Sequence, residues 1–107
     1  MSRPLDTLSA GLFAPLAGSD FSLRAADGAT WAVSLARCDE HPRATMPGSA
    51  RTAFSLEFHR PAGVPPVTGG AFLLSHPTLG AIGPLHVERI LPTGYGPDTA
   101  VFQILFN

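Results

Sequence analysis

The sequence predicts a small, mainly β domain: an antiparallel barrel or sandwich of about six strands with one short helix near its start. Two observations predict it. Apolar residues recur at every second position in several short segments, the period of a half-buried strand. Eleven glycines and eleven prolines in 107 residues cluster between those segments, which is how an all-β chain is punctuated.

Helical spacing is confined to the beginning. Leu8, Leu12, Phe13 and Leu16 recur at steps of three and four, and Asp6 or Thr7 can cap the segment. Pro15 and Gly18 limit it to about two turns, so residues 7–17 are expected to form one short helix, or a helical turn and its continuation. The period then becomes two. Phe21 and Leu23 alternate with Ser22 and Arg24; Trp31, Val33 and Leu35 alternate with Ala32, Ser34 and Ala36. Asp27-Gly28 between them is a turn signal, because glycine tolerates positive φ. The two segments are expected to form a hairpin, with Trp31 in the core.

Residues 38–50 carry Pro42, Pro47 and Gly48 and no periodicity, so an exposed loop is expected there. In residues 52–60 Phe54, Leu56 and Phe58 face one way and Ser55, Glu57 and His59 the other. One wet and one dry face is the mark of an antiparallel sheet. Residues 61–70 read as a second loop and 71–75 as a strand. The segment His76-Pro77-Thr78-Leu79-Gly80 reads as a turn, with the His76 ring bonded to nearby backbone. Leu85, Val87 and Leu91 are expected to be buried, opposite His86 and Glu88. Gly94, Gly96 and Pro97 form the last turn. The closing stretch, residues 100–106, is apolar on nearly both faces. It must therefore be central, or covered by the N-terminal helix.

Composition narrows function. Hydrophobic residues make 45% of the chain and the net charge is −1, which fits one packed domain over residues 1–107 rather than a disordered chain. It does not fit a nucleic-acid binder, whose surface is basic. All seven basic residues are arginine, so lysine Schiff bases and phosphate-loop lysines are excluded. Cys38 is the sole cysteine; a chain without an internal disulfide suits a reducing compartment, and the cytoplasm is expected. Residues 1–6 lack the apolar core of a secretory signal. No apolar run approaches the roughly 20 residues that span a bilayer, so no membrane association is expected.

The order of features resembles a family of bacterial proteins of similar length that has no established activity. Its pattern is a short helix leading to a Gly, an F-x-L strand, a variable loop, an F-x-L-x-F strand, an H-P-x-L-G turn and an ending in F-N. Here these are Phe13 and Gly18, Phe21-Ser22-Leu23, Phe54-Ser55-Leu56-Glu57-Phe58, His76-Pro77-Thr78-Leu79-Gly80, and Phe106-Asn107. The long proline-rich inserts depart from that pattern. Members of the family often accompany phage-tail-collar-like proteins, so the resemblance implies an assembly or accessory role.

Two clusters carry candidate chemistry. Glu57-x-His59 and His86-x-Glu88 each place two ligating side chains on the polar face of a predicted strand. If those strands are neighbours, Glu57, His59, His86 and Glu88 could hold zinc or another divalent cation. The plainer reading is an ordinary wet sheet face, where alternation alone demands polar residues. Cys38, Asp39 and His41 could pair a nucleophile with a base; the plainer reading is a surface loop with an incidental thiol. No catalytic, dinucleotide or metalloprotease motif occurs.

The expected function is therefore a non-catalytic structural or protein-interaction module, extended by the resemblance to an accessory subunit of a phage-tail-like assembly. The alternative is a small-ligand or divalent-metal-binding β domain using the polar sheet face. The first expects no cofactor, and a partner that is another protein or a second copy of this chain.

Overall fold

The computed structural model describes residues 2–3, 8–48, 51–60, 69–92, 94–96 and 98–106. Among these residues seven strands run in chain order: β1 Ser2–Arg3, β2 Asp20–Ala25, β3 Thr30–Glu40, β4 Phe54–Arg60, β5 Gly69–His76, β6 Gly80–Ile90 and β7 Ala100–Phe106. The helix α1 spans Ala10–Phe13 and tightens into a 3-10 turn over Ala14–Leu16.

The sheet order is β6-β5-β2-β3-β4-β7, and β7 returns to pair with β6. That last pairing joins Glu88, Arg89 and Ile90 to Gln103, Phe102 and Val101. It closes six antiparallel strands into a barrel and so decides between the two architectures that the alternation allows. Closure also removes the long sheet edges that a lysine-free chain would leave unguarded. Outside the six, β1 runs parallel to β6, pairing Ser2 with Ala81 and Arg3 with Ile82. Two residues are too few for any periodicity to show.

Inward positions are filled by phenylalanine. Phe54 and Phe106 stack at 4.5 Å with 9° between their planes, and Phe21 meets Phe58 edge-on at 5.2 Å. Phe13, from α1, sits fully buried within 6.4 Å of Phe21, 5.9 Å of Phe54 and 6.1 Å of Phe106. The helix is thus a plug whose apolar side chain enters the barrel end. A four-residue helix has no stability of its own in water; packing holds it. The apolar closing strand is central, between β4 and β6, and its last ring lies under the helix. Trp31, expected in the core, is half-buried and rests on Phe72 at 5.4 Å.

Two expectations need correction. Residues 38–50 are not one irregular loop. Strand β3 continues through Cys38 and Asp39 to Glu40, paired with Leu56, Ser55 and Phe54. A 3-10 turn follows over Pro42–Ala44, and the Ala53 N–H donates to the Thr45 hydroxyl at 2.9 Å. The register shift between Leu35 and Arg37 is the cause: a bulge breaks the alternation that the sequence would otherwise display. Leu91 is 81% exposed, because β6 ends at Ile90 and the chain turns away. The helix falls within residues 7–17 as expected, an α-turn continued as 3-10 because Pro15 has no N–H to extend it; residue 7 lies outside the described residues. The predicted loop over 61–70 also lies outside them, except for Gly69 and Gly70, which already belong to β5.

Candidate functional site

The barrel lumen is filled by buried apolar side chains, so the outer face is where polar groups can meet a ligand. Outward positions of four neighbouring strands form a row: Arg37 on β3 is level with Glu57 on β4, Glu57 with Gln103 on β7, and Gln103 with Glu88 on β6. This row decides the fate of the four metal candidates. Strand β7 separates β4 from β6, and strands stand about 4.8 Å apart, which puts Glu57 and Glu88 about 10 Å apart. His59 is level with Val101 and Ile90, four positions along β6 from His86, or roughly 13 Å at strand rise. The structure brings together His86 and Glu88 alone, Nε2 to Oε1 at 3.3 Å, both well exposed. Among the described residues no three His, Cys, Asp or Glu side chains gather where they could hold a metal ion.

The Cys38, Asp39 and His41 cluster is dispersed for the reason that strands alternate. Cys38 is half-buried beneath the helix, its Sγ 3.7 Å from the Ala10 carbonyl oxygen. Burial pushes the thiol pKa up, with the Asp39 and Glu40 charges adding to the effect, the opposite of an activated nucleophile. Asp39 faces outward and pairs with Arg37 Nε at 2.7 Å, which raises the pKa of that guanidinium further. His41 lies beyond the strand and contacts the Ser55 hydroxyl at 2.8 Å. Ser55 is only 6% exposed, its hydroxyl lying against the His41 ring.

His76 holds its turn. Its Nδ1 accepts the Thr78 backbone N–H at 3.0 Å, and the ring lies 4.6 Å from Phe21. With Nδ1 accepting, the neutral ring carries its proton on Nε2. That nitrogen is 3.4 Å from the Ser19 hydroxyl, which itself donates to the Leu16 carbonyl. A histidine that presents a proton to a serine cannot act as its base.

A recess lies elsewhere, where the connection from β6 to β7 folds back over the outer face. The Tyr95 N–H donates to the Pro92 carbonyl at 2.9 Å. The Tyr95 ring stacks on His59 at 5.2 Å, and its hydroxyl donates to Glu57 Oε2 at 3.0 Å. Partial burial raises the tyrosine pKa, as does the bond to Glu57. The strap crosses β7 to reach β4, which explains why outward-facing Val101 is 1% exposed. Beside it opens a recess of about 890 Å³, lined by Arg37, Glu57 and Arg89 over a floor of Ile90, Pro92 and Val101, with Leu91 at the rim. Ligand sites run to about 300–1,000 Å³.

The family model of DUF6916, a domain of unknown function, matches residues 8–106. The chain belongs to the DUF6916 family. No curated protein and no solved structure matches it. The match spans everything from the plug helix to the last strand, so the DUF6916 domain and the barrel are one unit. Sequence reasoning singles out Glu57 but misses Tyr95, Arg37 and Arg89 as its company. One signal was there to find: Tyr95, the sole tyrosine, stands between Gly94 and Gly96 in a turn, an exposed place for a ring unless something receives it. The rest depends on strand order, which periodicity does not contain.

Proposed function

We propose that this DUF6916 domain is a non-catalytic protein-interaction module that engages its partner through the outer face of the barrel. The observation that carries this reading is the recess under the Tyr95 strap. It combines charged walls with an apolar floor, and it lies outside a lumen filled by phenylalanine rings. The one thiol is held protonated by burial, and the Ser55 hydroxyl that contacts His41 is only 6% exposed. Leu91, 81% exposed, adds apolar contact area at the rim of the recess.

The finer form of the proposal is an accessory subunit of a phage-tail-like assembly, in a bacterial cytoplasm. It rests on the order of motifs described above. Light scattering on size-exclusion fractions, with co-purification from the native host, tests the proposal. A specific partner or a defined oligomer is expected. A strict monomer that brings nothing with it counts against the module reading.

A further inference from the structure

The groups around His76 form one chain of hydrogen bonds, all running the same way. The Thr78 backbone N–H donates to His76 Nδ1 at 3.0 Å. Nε2, which carries the ring proton, faces the Ser19 hydroxyl oxygen at 3.4 Å. That hydroxyl donates to the Leu16 carbonyl at 2.5 Å. Leu16 is the last residue of the 3-10 turn that ends the plug, and the Ser19 N–H donates to the same carbonyl at 3.0 Å. The half-buried ring thus ties the turn between β5 and β6 to the end of the plug. In such a chain each bond polarises the next, so loss of the first weakens the rest.

That chain exists only while the ring is neutral. An imidazolium carries a proton on both nitrogens. Nδ1–H would then face the Thr78 N–H, donor against donor, and turning the ring over changes nothing. We propose that His76 is an acid-sensitive latch: protonation frees Thr78 and loosens the end of the plug while the barrel stays closed. The latch is shut where the imidazole is neutral and opens as pH falls through the imidazole range, about pH 8 to 5. The charged ring has a partner within the fold. Asp20, exposed on β2, lines the same surface hollow as His76. Its Oδ1 accepts the Ser34 hydroxyl at 3.0 Å, which leaves Oδ2 to receive the imidazolium. No other charged side chain comes from the elements packed around the ring. Residues 8–19, 69–75 and 77–82 contain none, and Arg24 stands four positions along β2, about 13 Å away at strand rise. Phe21, 4.6 Å from the ring, is uncharged. The latch works whether or not the outer face engages a partner.

The test is a titration of the isotopically labelled chain by nuclear magnetic resonance, from about pH 8 to about pH 5. At the upper end the His76 ring nitrogens should show the Nε2–H tautomer alone. As that ring titrates, the Thr78 amide proton should move upfield. Hydrogen-exchange protection of Thr78, Gly18 and Ser19 should fall about five-fold, as loss of one ordinary hydrogen bond requires, while the amides of β4 and β7 keep theirs. His76→Asn retains an acceptor for the N–H two residues on, without an imidazole to protonate, so its protection should stay flat with pH. His41, His59 and His86 are present in both proteins and cancel in the comparison. Asp20→Asn should move the parent's midpoint to lower pH, because a carboxylate favours the imidazolium. A mixed or Nδ1–H tautomer at about pH 8, or equal loss of protection in the parent and His76→Asn, overturns the latch. Loss at Thr78 with none at Gly18 and Ser19 overturns the link to the plug. An unmoved midpoint in Asp20→Asn overturns the role of Asp20. If His76→Asn does not fold, the parent's tautomer and Thr78 shift decide.

Discussion

Replacing Phe13 with alanine tests whether the helix is a structural plug or an ornament on a finished barrel. Phe13 is fully buried and touches three other rings, at 6.4, 5.9 and 6.1 Å. Truncation of a buried phenylalanine loses its transfer free energy and leaves a cavity, typically about 3–5 kcal/mol together. The ring–ring contacts, about 0.5–1.5 kcal/mol each, fall within that sum rather than on top of it. Relaxation pulls the figure down: a four-residue helix anchored by one ring can detach and let water in, so no sealed void need remain. About 3–4 kcal/mol is therefore expected. A domain of this size holds about 5–15 kcal/mol in total, so the variant should fold, with a midpoint roughly 12–16 °C lower at about 4 °C per kcal/mol. Urea unfolding followed by Trp31 fluorescence and by far-UV dichroism is the assay. The two probes should coincide, because Trp31 packs on Phe72, away from the helix. Phe13→Leu should recover most of the loss, to within about 1.5 kcal/mol of the parent. A loss below about 1 kcal/mol for Phe13→Ala would refute the plug, since burial among three rings cannot cost so little unless the helix is already loose.

Other perturbations are equally direct. A Cβ at Gly83, where φ is +125°, would lie 2.8 Å from the Leu85 nitrogen and 3.0 Å from the Phe72 carbonyl oxygen; Gly83→Ala should cost about 2 kcal/mol or more in urea unfolding, and a neutral result would contradict the close approach of β5 to β6 at that point. Tyr95 has a raised pKa in the fold, above its ordinary 10.0, so its contribution is complete below about pH 10 and fades as pH climbs through the folded value. Parent stability should then fall more steeply above pH 10 than that of Tyr95→Phe, and parallel curves would sink the strap contact. Cys38, also raised, from 9.0, should react with a thiol reagent at pH 8 at least about ten-fold more slowly than free cysteine; reaction at the free rate would mean the helix does not shield it. Zinc should leave the melting temperature within about 1 °C of the parent, because two ligands on an exposed face give little differential binding; a rise of several degrees would mean that Glu57, His59, His86 and Glu88 do converge.

What could be read from the chain follows the range of the interaction involved. Phe54, Leu56 and Phe58 announce a strand because the two-residue period is fixed by backbone geometry within a few residues. The Asp27-Gly28 turn is legible for the same reason: the Asp27 carboxylate accepts the Ala29 N–H at 2.9 Å and Gly28 takes φ of +92°, both local events. The candidate site was half legible. Glu57 stood out by its face of the strand, but its neighbours are chosen by pairing, and Arg37 lies just past a bulge that hides the rhythm of β3.

By itself, then, the sequence determined that this is a β domain with a short leading helix, which faces are dry, and that the apolar closing segment had to be sheltered. Tertiary structure alone decided that the sheet closes, that β7 stands between β4 and β6, and hence that Glu57 meets Arg37 and Tyr95 rather than His86 and Glu88. The reason is physical. Side-chain direction along a strand is set by adjacent bonds, whereas strand order is set by which closure buries the phenylalanine rings together, a sum over contacts between residues as distant as Phe13 and Phe106 that no local pattern records.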